Sequence, residues 1–205
     1  MSYERHELGP PGASLPGKKA KWKANIPTRY HSVTPPWSDA FDKEFQFDGS
    51  SLVTDYVLKM PEHDKAGMGL LLLGPHGTGK TALACRVLAE SMARGTHVAH
   101  FCFASEIDWC ARHRNEETPA GARRWALMTR DAQWLVIDDL GMERDADWNR
   151  RWLEEVLTSR YAWKVPTIIT SNWTDEEIQD RSPRLWQLMK DAYVVVNCDG
   201  LSWRD

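Results

Sequence analysis

The run Gly74-Pro75-His76-Gly77-Thr78-Gly79-Lys80-Thr81 matches G-x-x-x-x-G-K-[ST] at every fixed position, and no other feature of this 205-residue chain constrains its fold as strongly. The apolar stretch Gly69-Leu70-Leu71-Leu72-Leu73 before it reads as a buried strand, and residues 82–89 after it read as a helix. Strand, glycine-rich loop and helix N-terminus together form a phosphate cradle. Glycines let backbone N–H groups turn inward, and the helix end favours negative charge. Lys80 is placed to reach the terminal phosphates as an exposed ligand, and Thr81 to hold Mg²⁺. The expected ligand is a nucleoside triphosphate bound with Mg²⁺.

A second acidic segment completes the pattern. Leu135-Val136-Ile137-Asp138-Asp139 is an apolar strand ending in two carboxylates. In open parallel sheets ligands gather at the carboxyl ends of strands, so both acids are expected beside the phosphate loop. Asp138 would belong to the Mg²⁺ shell, and Asp139 would orient or deprotonate the attacking water. Ile168-Ile169-Thr170-Ser171-Asn172 repeats the design with small polar groups at its end. Asn172 can hydrogen-bond the γ-phosphate or the water; otherwise it caps the following helix, for which Thr174 is an equal choice.

Further apolar runs at 97–103, 133–138, 166–170 and 193–197 alternate with helical stretches. Together with the strand before the phosphate loop they predict an α/β fold with a five-stranded parallel sheet flanked by helices. Residues 1–40 carry six prolines and the run Lys18-Lys19-Ala20-Lys21-Trp22-Lys23, a tail or linker composition, leaving 41–205 as the folded domain. A helix is expected from about Ser50 through Leu52 and Tyr56 until Pro61 stops it, followed by a loop at 62–67. Asp145 or Asp147 is expected to cap a helix with Trp148, Trp152, Leu153, Val156, Leu157 and Tyr161 on one face. Trp148, Trp152 and Trp186 read as core.

Composition excludes several classes. No apolar run approaches the roughly 20 residues of a membrane span, and the first residues lack an apolar signal segment, so a cytoplasmic protein without membrane contact is expected. Four cysteines without a C-x-x-C pair suggest neither zinc nor a disulfide framework, but reduced buried thiols. His97 and His100 would point to opposite faces of a strand, which argues against a metal pair. A net charge of −3 carries no global nucleic-acid signature, so any such contact must be a local patch.

Taken together, these segments resemble the helicase-loader branch of the AAA+ ATPases, the DnaC/DnaI-like proteins and the IstB-like transposition helpers. The resemblance runs from about Ile26 to Arg204. It uses Ile26-Pro27-Thr28-Arg29-Tyr30 at the opening of the domain, Gly74 to Thr81 as Walker A and Leu135 to Gly141 as Walker B. Arg160-Tyr161 followed by Pro166 to Asn172 is similar to the family's arginine–tyrosine and sensor-1 segment, and Gly200-Leu201-Ser202-Trp203-Arg204 to its closing motif.

The resemblance implies a P-loop NTPase with an AAA+ core and no C-terminal helical lid, with ATP held at the subunit interfaces of a homo-oligomer. A neighbour's arginine finger would come from Arg181-Ser182-Pro183-Arg184-Leu185. Ser182 and Pro183 read as N-cap and N1, which sets Arg184 against the helix dipole; Arg181 is its rival. Implied partners are single-stranded DNA and a replicative helicase, or a transposase. The clusters Arg112-His113-Arg114 and Arg123-Arg124 are expected to contact single-stranded DNA, and the lysine run to contact the protein partner. The alternatives are an IstB-like transposition helper or a weakly hydrolysing ATP-switched adaptor. A small-molecule kinase is disfavoured by Asp138-Asp139 and Thr170-Ser171-Asn172, which suit water activation.

Overall fold

Five parallel strands, β1 (Gly69–Leu73), β2 (Ala99–Phe103), β3 (Trp134–Leu140), β4 (Thr167–Ser171) and β5 (Tyr193–Asn197), lie in the order β2-β3-β4-β1-β5. The computed structural model describes residues 8, 16–31, 49–114, 119–141 and 146–199, without the side chains of 146–150. Strand β1 sits between β4 and β5, with Leu70 opposite both Ile168 and Val194. The strands at the centre are almost wholly buried, which accounts for their continuous apolar runs in place of alternation.

The two sheet faces carry separate cores. Leu70, Leu72, Val136 and Ile168 pack against Leu83, Val87 and Leu88 of α4 (Lys80–Ala93) and against Val53, Tyr56 and Val57 of α2 (Ser50–Leu58). On the other face Leu71, Ile137 and Ile169 meet α5 (Ala104–His113), α7 (Ala146–Ala162) and α9 (Pro183–Ala192). Trp152 and Trp186 are buried there, as their spacing requires. Trp148 and Asp145 lie outside the described side chains, and the closing motif at 200–204 lies outside the described residues. All four cysteines are free and buried.

Four smaller expectations need correction. Pro61 does not stop a helix but sits in the first turn of α3 (Met60–Ala66), where its missing N–H has no intrahelical partner to lose. The break falls at Lys59, and the expected loop at 62–67 is mostly this helix, which Gly67 ends in the left-handed conformation. Tyr161 is 52% exposed and is not on the buried face of α7. His97 precedes β2 instead of lying in it.

The largest correction concerns the tail. Residues 16–31 form α1 (Lys18–Lys23) and a 3₁₀ turn (Thr28–Tyr30) that pack on the domain. Ala24 and Ile26 are buried in the core on the α4 side. The Ala24 carbonyl accepts from Phe101 N–H at 2.8 Å, and Asn25 Nδ2 donates to the Phe101 carbonyl at 2.8 Å, so this segment runs along the free edge of β2. Its proline and lysine content disguised a packed strap.

Candidate functional site

The phosphate loop joins β1 to α4, and three of its glycines have positive φ: Gly74 (139°), Gly77 (87°) and Gly79 (83°). A Cβ on Gly74 would lie 2.7 Å from the Cys198 carbonyl oxygen, so only glycine fits where the end of β5 crosses the loop. Thr78 Oγ1 donates to the Pro75 carbonyl at 3.0 Å and braces the turn. Lys80 opens α4, as its motif demands, but it is only 7% exposed. Its Nζ donates to the carbonyls of Gly74 and Pro75, both at 2.7 Å, and to Asn172 Oδ1 at 3.0 Å. Burial pulls the ammonium pKa down, against the opposing influence of Cys198, Asp139 and Asp138. The lysine is thus tucked into its own loop instead of projecting from it.

Opposite the loop, β3 carries a bulge. Ile137 pairs with Ile169 and Leu140 with Ser171, so three steps on β3 face two on β4. The extra residue allows both carboxylates at this position to serve the site. Asp138 is 3% exposed and accepts from Thr170 Oγ1 at 2.7 Å. Burial pushes its carboxyl pKa up, while hydrogen bonds from Thr170 and Thr81 hold it down. Asp139 takes a left-handed backbone (φ 64°), and its N–H donates to the same Thr170 oxygen at 2.9 Å. Asn172 Nδ2 donates to Asp139 Oδ1 at 2.8 Å. Asn172 therefore bridges Lys80 and Asp139 and does not cap the next helix. That task falls to Thr174, which forms a reciprocal pair with Glu177 at the start of α8 (Asp175–Arg181).

These groups meet in a cleft of about 360 Å³ between the phosphate loop and the ends of β3 and β4. Three polar side chains from outside the loop and the strand ends also line it: Arg29, Tyr30 and Arg86. Sequence reading treated Arg29 and Tyr30 only as the opening of the domain. The 3₁₀ turn brings them over the loop, where the Tyr30 hydroxyl hydrogen-bonds Thr81 and burial raises its pKa. Arg86 was missed as well. A charged residue within an otherwise apolar helical stretch, 4% exposed in the fold, was the signal available.

Arg181 and Arg184 are exposed and lie outside the cleft lining. The Arg181 guanidinium sits 4.7 Å from the Trp173 ring centroid. Arg184 occupies the first turn of α9 behind Ser182 and Pro183, and its side chain makes no hydrogen bond, ion pair or ring contact with another described residue.

The donor set fits ATP and a hard divalent cation. A buried carboxylate held beside the Thr81 hydroxyl offers oxygen ligands whose desolvation a cation relieves. The loop N–H groups, the helix N-terminus and Lys80 offer the complementary field for phosphate. Among the described residues no three His, Cys, Asp or Glu side chains cluster as a metal site of their own, and no helix is long and apolar enough to cross a membrane.

The sheet order with its phosphate loop after β1 defines a P-loop NTPase with an AAA+ core. Residues 58–182 match the IstB-like ATP binding protein family, and the chain belongs to that family. Among curated proteins it is 29% identical over 141 residues to the uncharacterized protein YqaM of Bacillus subtilis (strain 168), a match spanning 63% of this chain and 43% of that one. The fold is similar to the crystal structure of the DnaC helicase loader (TM-score 0.62, 22% identity, 83% of this chain and 99% of that one). It is similar to DnaI as well (TM-score 0.62, 20% identity, 84% and 94%). A further likeness is to the replication initiator DnaA bound to AMPPCP and single-stranded DNA (TM-score 0.62, 15% identity, 84% and 50%).

Proposed function

We propose that this protein binds ATP with Mg²⁺ in the cleft, hydrolyses it as a homo-oligomer, and uses the cycle to load a replicative helicase on single-stranded DNA. The observation that carries the ATPase reading is the bridge Lys80–Asn172–Asp139, which links the phosphate-side cation to the water-side carboxylate through one amide. Lys80 exchanges the Gly74 and Pro75 carbonyls for terminal phosphate oxygens. Thr81 and Asp138 hold Mg²⁺, which supplies charge neutralisation on the phosphates. Asp139 accepts the proton of the attacking water or orients it, and Asn172 fixes Asp139 in place.

Arg184 acts as the arginine finger of a neighbouring subunit. It points into solvent from a position where the helix field disfavours a cation, whereas Arg181 is already engaged with Trp173. The helicase-loader role draws its support from the fold likeness to DnaC and DnaI. Family membership favours one alternative, an IstB-like helper that delivers a transposase to DNA.

The test is ATP turnover by the full chain, alone and with single-stranded DNA, beside pull-down of the cognate replicative helicase and of a transposase. ATP-dependent capture of the helicase supports loading. Capture of the transposase alone assigns the alternative, and ATP binding without turnover in every mixture assigns a switched adaptor.

A further inference from the structure

The cationic clusters of the sequence fall on two surfaces that the fold treats differently. On α5 and α6 (Pro119–Ala126) and just beyond α5, three arginines face carboxylates. Arg112 pairs with Asp108 at 2.9 Å, Arg114 with Glu155 at 3.0 Å and Arg124 with Glu106 at 4.0 Å. Arg114 also lies 4.7 Å from the Trp152 centroid and Arg124 5.7 Å from that of Trp109. Much of this positive charge is compensated inside the domain.

Around α1 the balance is opposite. No carboxylate occurs between residues 16 and 31, and Lys18, Lys19 and Lys23 are all exposed. Helical spacing sets Lys18 and Lys19 beside Trp22 and Lys23 beside Lys19, and all three lysines line one groove with the indole. Trp22 is 68% exposed, the most open large apolar side chain described. The face is held rigidly from behind. Lys21 turns inward and donates to the His31 carbonyl, His31 Nε2 bonds the Ile26 carbonyl at 2.9 Å, and Ala24 is tied to β2. Trp22, Thr28 and His31 border an open groove beside the lysines.

We infer that this face of α1 binds single-stranded nucleic acid, with phosphates on Lys18, Lys19 and Lys23 and a base stacked on Trp22. The inference rests on the reading that the protein works on single-stranded DNA, and it moves the contact from the α5–α6 arginines to the strap. A single strand offers a phosphate and a flat base at each step, which matches point charges set around an open π-face. An acidic peptide would engage the lysines and leave the indole unmatched.

Fluorescence anisotropy of a labelled oligothymidine, with the full chain, ATP and increasing salt, tests this. Trp22→Ala should weaken binding by roughly five- to 150-fold, the span measured for one stacked base. The triple variant Lys18→Ala/Lys19→Ala/Lys23→Ala should lower the slope of log K against log salt by about 2, at about 0.7 per strand phosphate. Arg123→Ala/Arg124→Ala should leave affinity within about twofold, and ATP binding, which none of these side chains touches, should report intact folding in all variants. If the parent chain does not bind oligothymidine, the inference and the reading beneath it both fall. If the parent binds and the α1 variants bind equally, the inference alone falls. If poly-glutamate displaces the oligothymidine at matched charge and Trp22→Ala has no effect, an acidic protein segment is the occupant and the inference is overturned.

Discussion

Asp139→Asn separates chemistry from structure at this site unusually cleanly. The left-handed backbone at φ 64° is a conformation that asparagine enters as readily as aspartate. The replacement keeps an Oδ1 to accept from Asn172 Nδ2, and the backbone N–H bond to Thr170 is untouched. The expected stability change is therefore within about 0.5 kcal/mol. Only the charge and the basic oxygen are lost. If Asp139 acts on the water, turnover falls by roughly 10²–10⁴-fold, a barrier increase of about 3–5 kcal/mol.

Asp139→Ala provides the contrast. A Cβ residue without a polar side chain costs about 1–2 kcal/mol in the left-handed region, and the Asn172 amide loses its acceptor for about 1 kcal/mol more. That variant should melt about 4–12 °C lower, at about 2–4 °C per kcal/mol for a domain of this size. Single-turnover hydrolysis, ATP-analogue binding and thermal unfolding of both variants decide the matter. Equal activity loss with unequal melting is expected. Unchanged turnover in Asp139→Asn with binding intact would refute the assignment, and a melting loss as large as that of alanine would refute the backbone argument.

Lys80→Ala should abolish tight ATP binding while the chain stays folded, because the carbonyls it caps are on the open loop; parent-like ATP affinity by calorimetry would contradict the phosphate-loop role. Inactive Arg184→Ala and inactive Asp139→Asn subunits should partly rescue each other when mixed, since fingers of this kind are worth about 10³–10⁵ in rate and act across the interface. Absence of rescue at every ratio, in protein shown to oligomerise, would sink the shared site.

Burial, with Arg124 and Arg160 nearby, lowers the His100 pKa to about 4. The unfolded chain takes up its proton below about pH 6.5 and the folded one only near 4, so stability should fall as pH drops through that window, by about 3 kcal/mol from this group. In His100→Gln that part of the slope should vanish from denaturant midpoints measured between pH 7 and 4. Gly67→Ala should destabilise the fold by more than about 1 kcal/mol, because φ is 76° and the new Cβ would lie 2.5 Å from the Lys164 backbone; an unchanged denaturant midpoint would show that the contact relaxes freely.

What was legible in the sequence was what periodicity and motif spacing encode. Leu70 to Leu73, Leu135 to Ile137 and Ile168 to Thr170 announce buried parallel strands because both of their faces are covered. The phosphate loop announces itself because its glycines, lysine and threonine are fixed by one geometry. Asp138, Asp139 and Asn172 share one cleft with the phosphate loop because strand ends in such sheets converge. Their mutual arrangement was not legible. The bulge in β3 and the amide bridge to Lys80 depend on register between strands far apart in the chain. Pro61 was misjudged because proline signals both ends of a helix, and only the break at Lys59 decides between them. Arg29 and Tyr30 were not read as cleft residues because their place depends on Ala24 and Ile26 docking on the sheet, a long-range contact in a segment of linker-like composition.

The docking of Ala24 and Asn25 on Phe101 has a consequence for solubility. Strand β2 is the last strand on its side of the sheet, and an uncovered edge presents N–H and C=O groups ready to pair with another chain. The strap answers that edge twice at one residue: a main-chain carbonyl takes the Phe101 N–H and a side-chain amide fills the Phe101 carbonyl. It covers the edge at that residue and so opposes strand-to-strand association between copies. Shortened forms of this protein should therefore be cut before Pro16. A chain beginning after Asn25 would carry an open β2 edge and is expected to elute from size exclusion as ATP-independent aggregate.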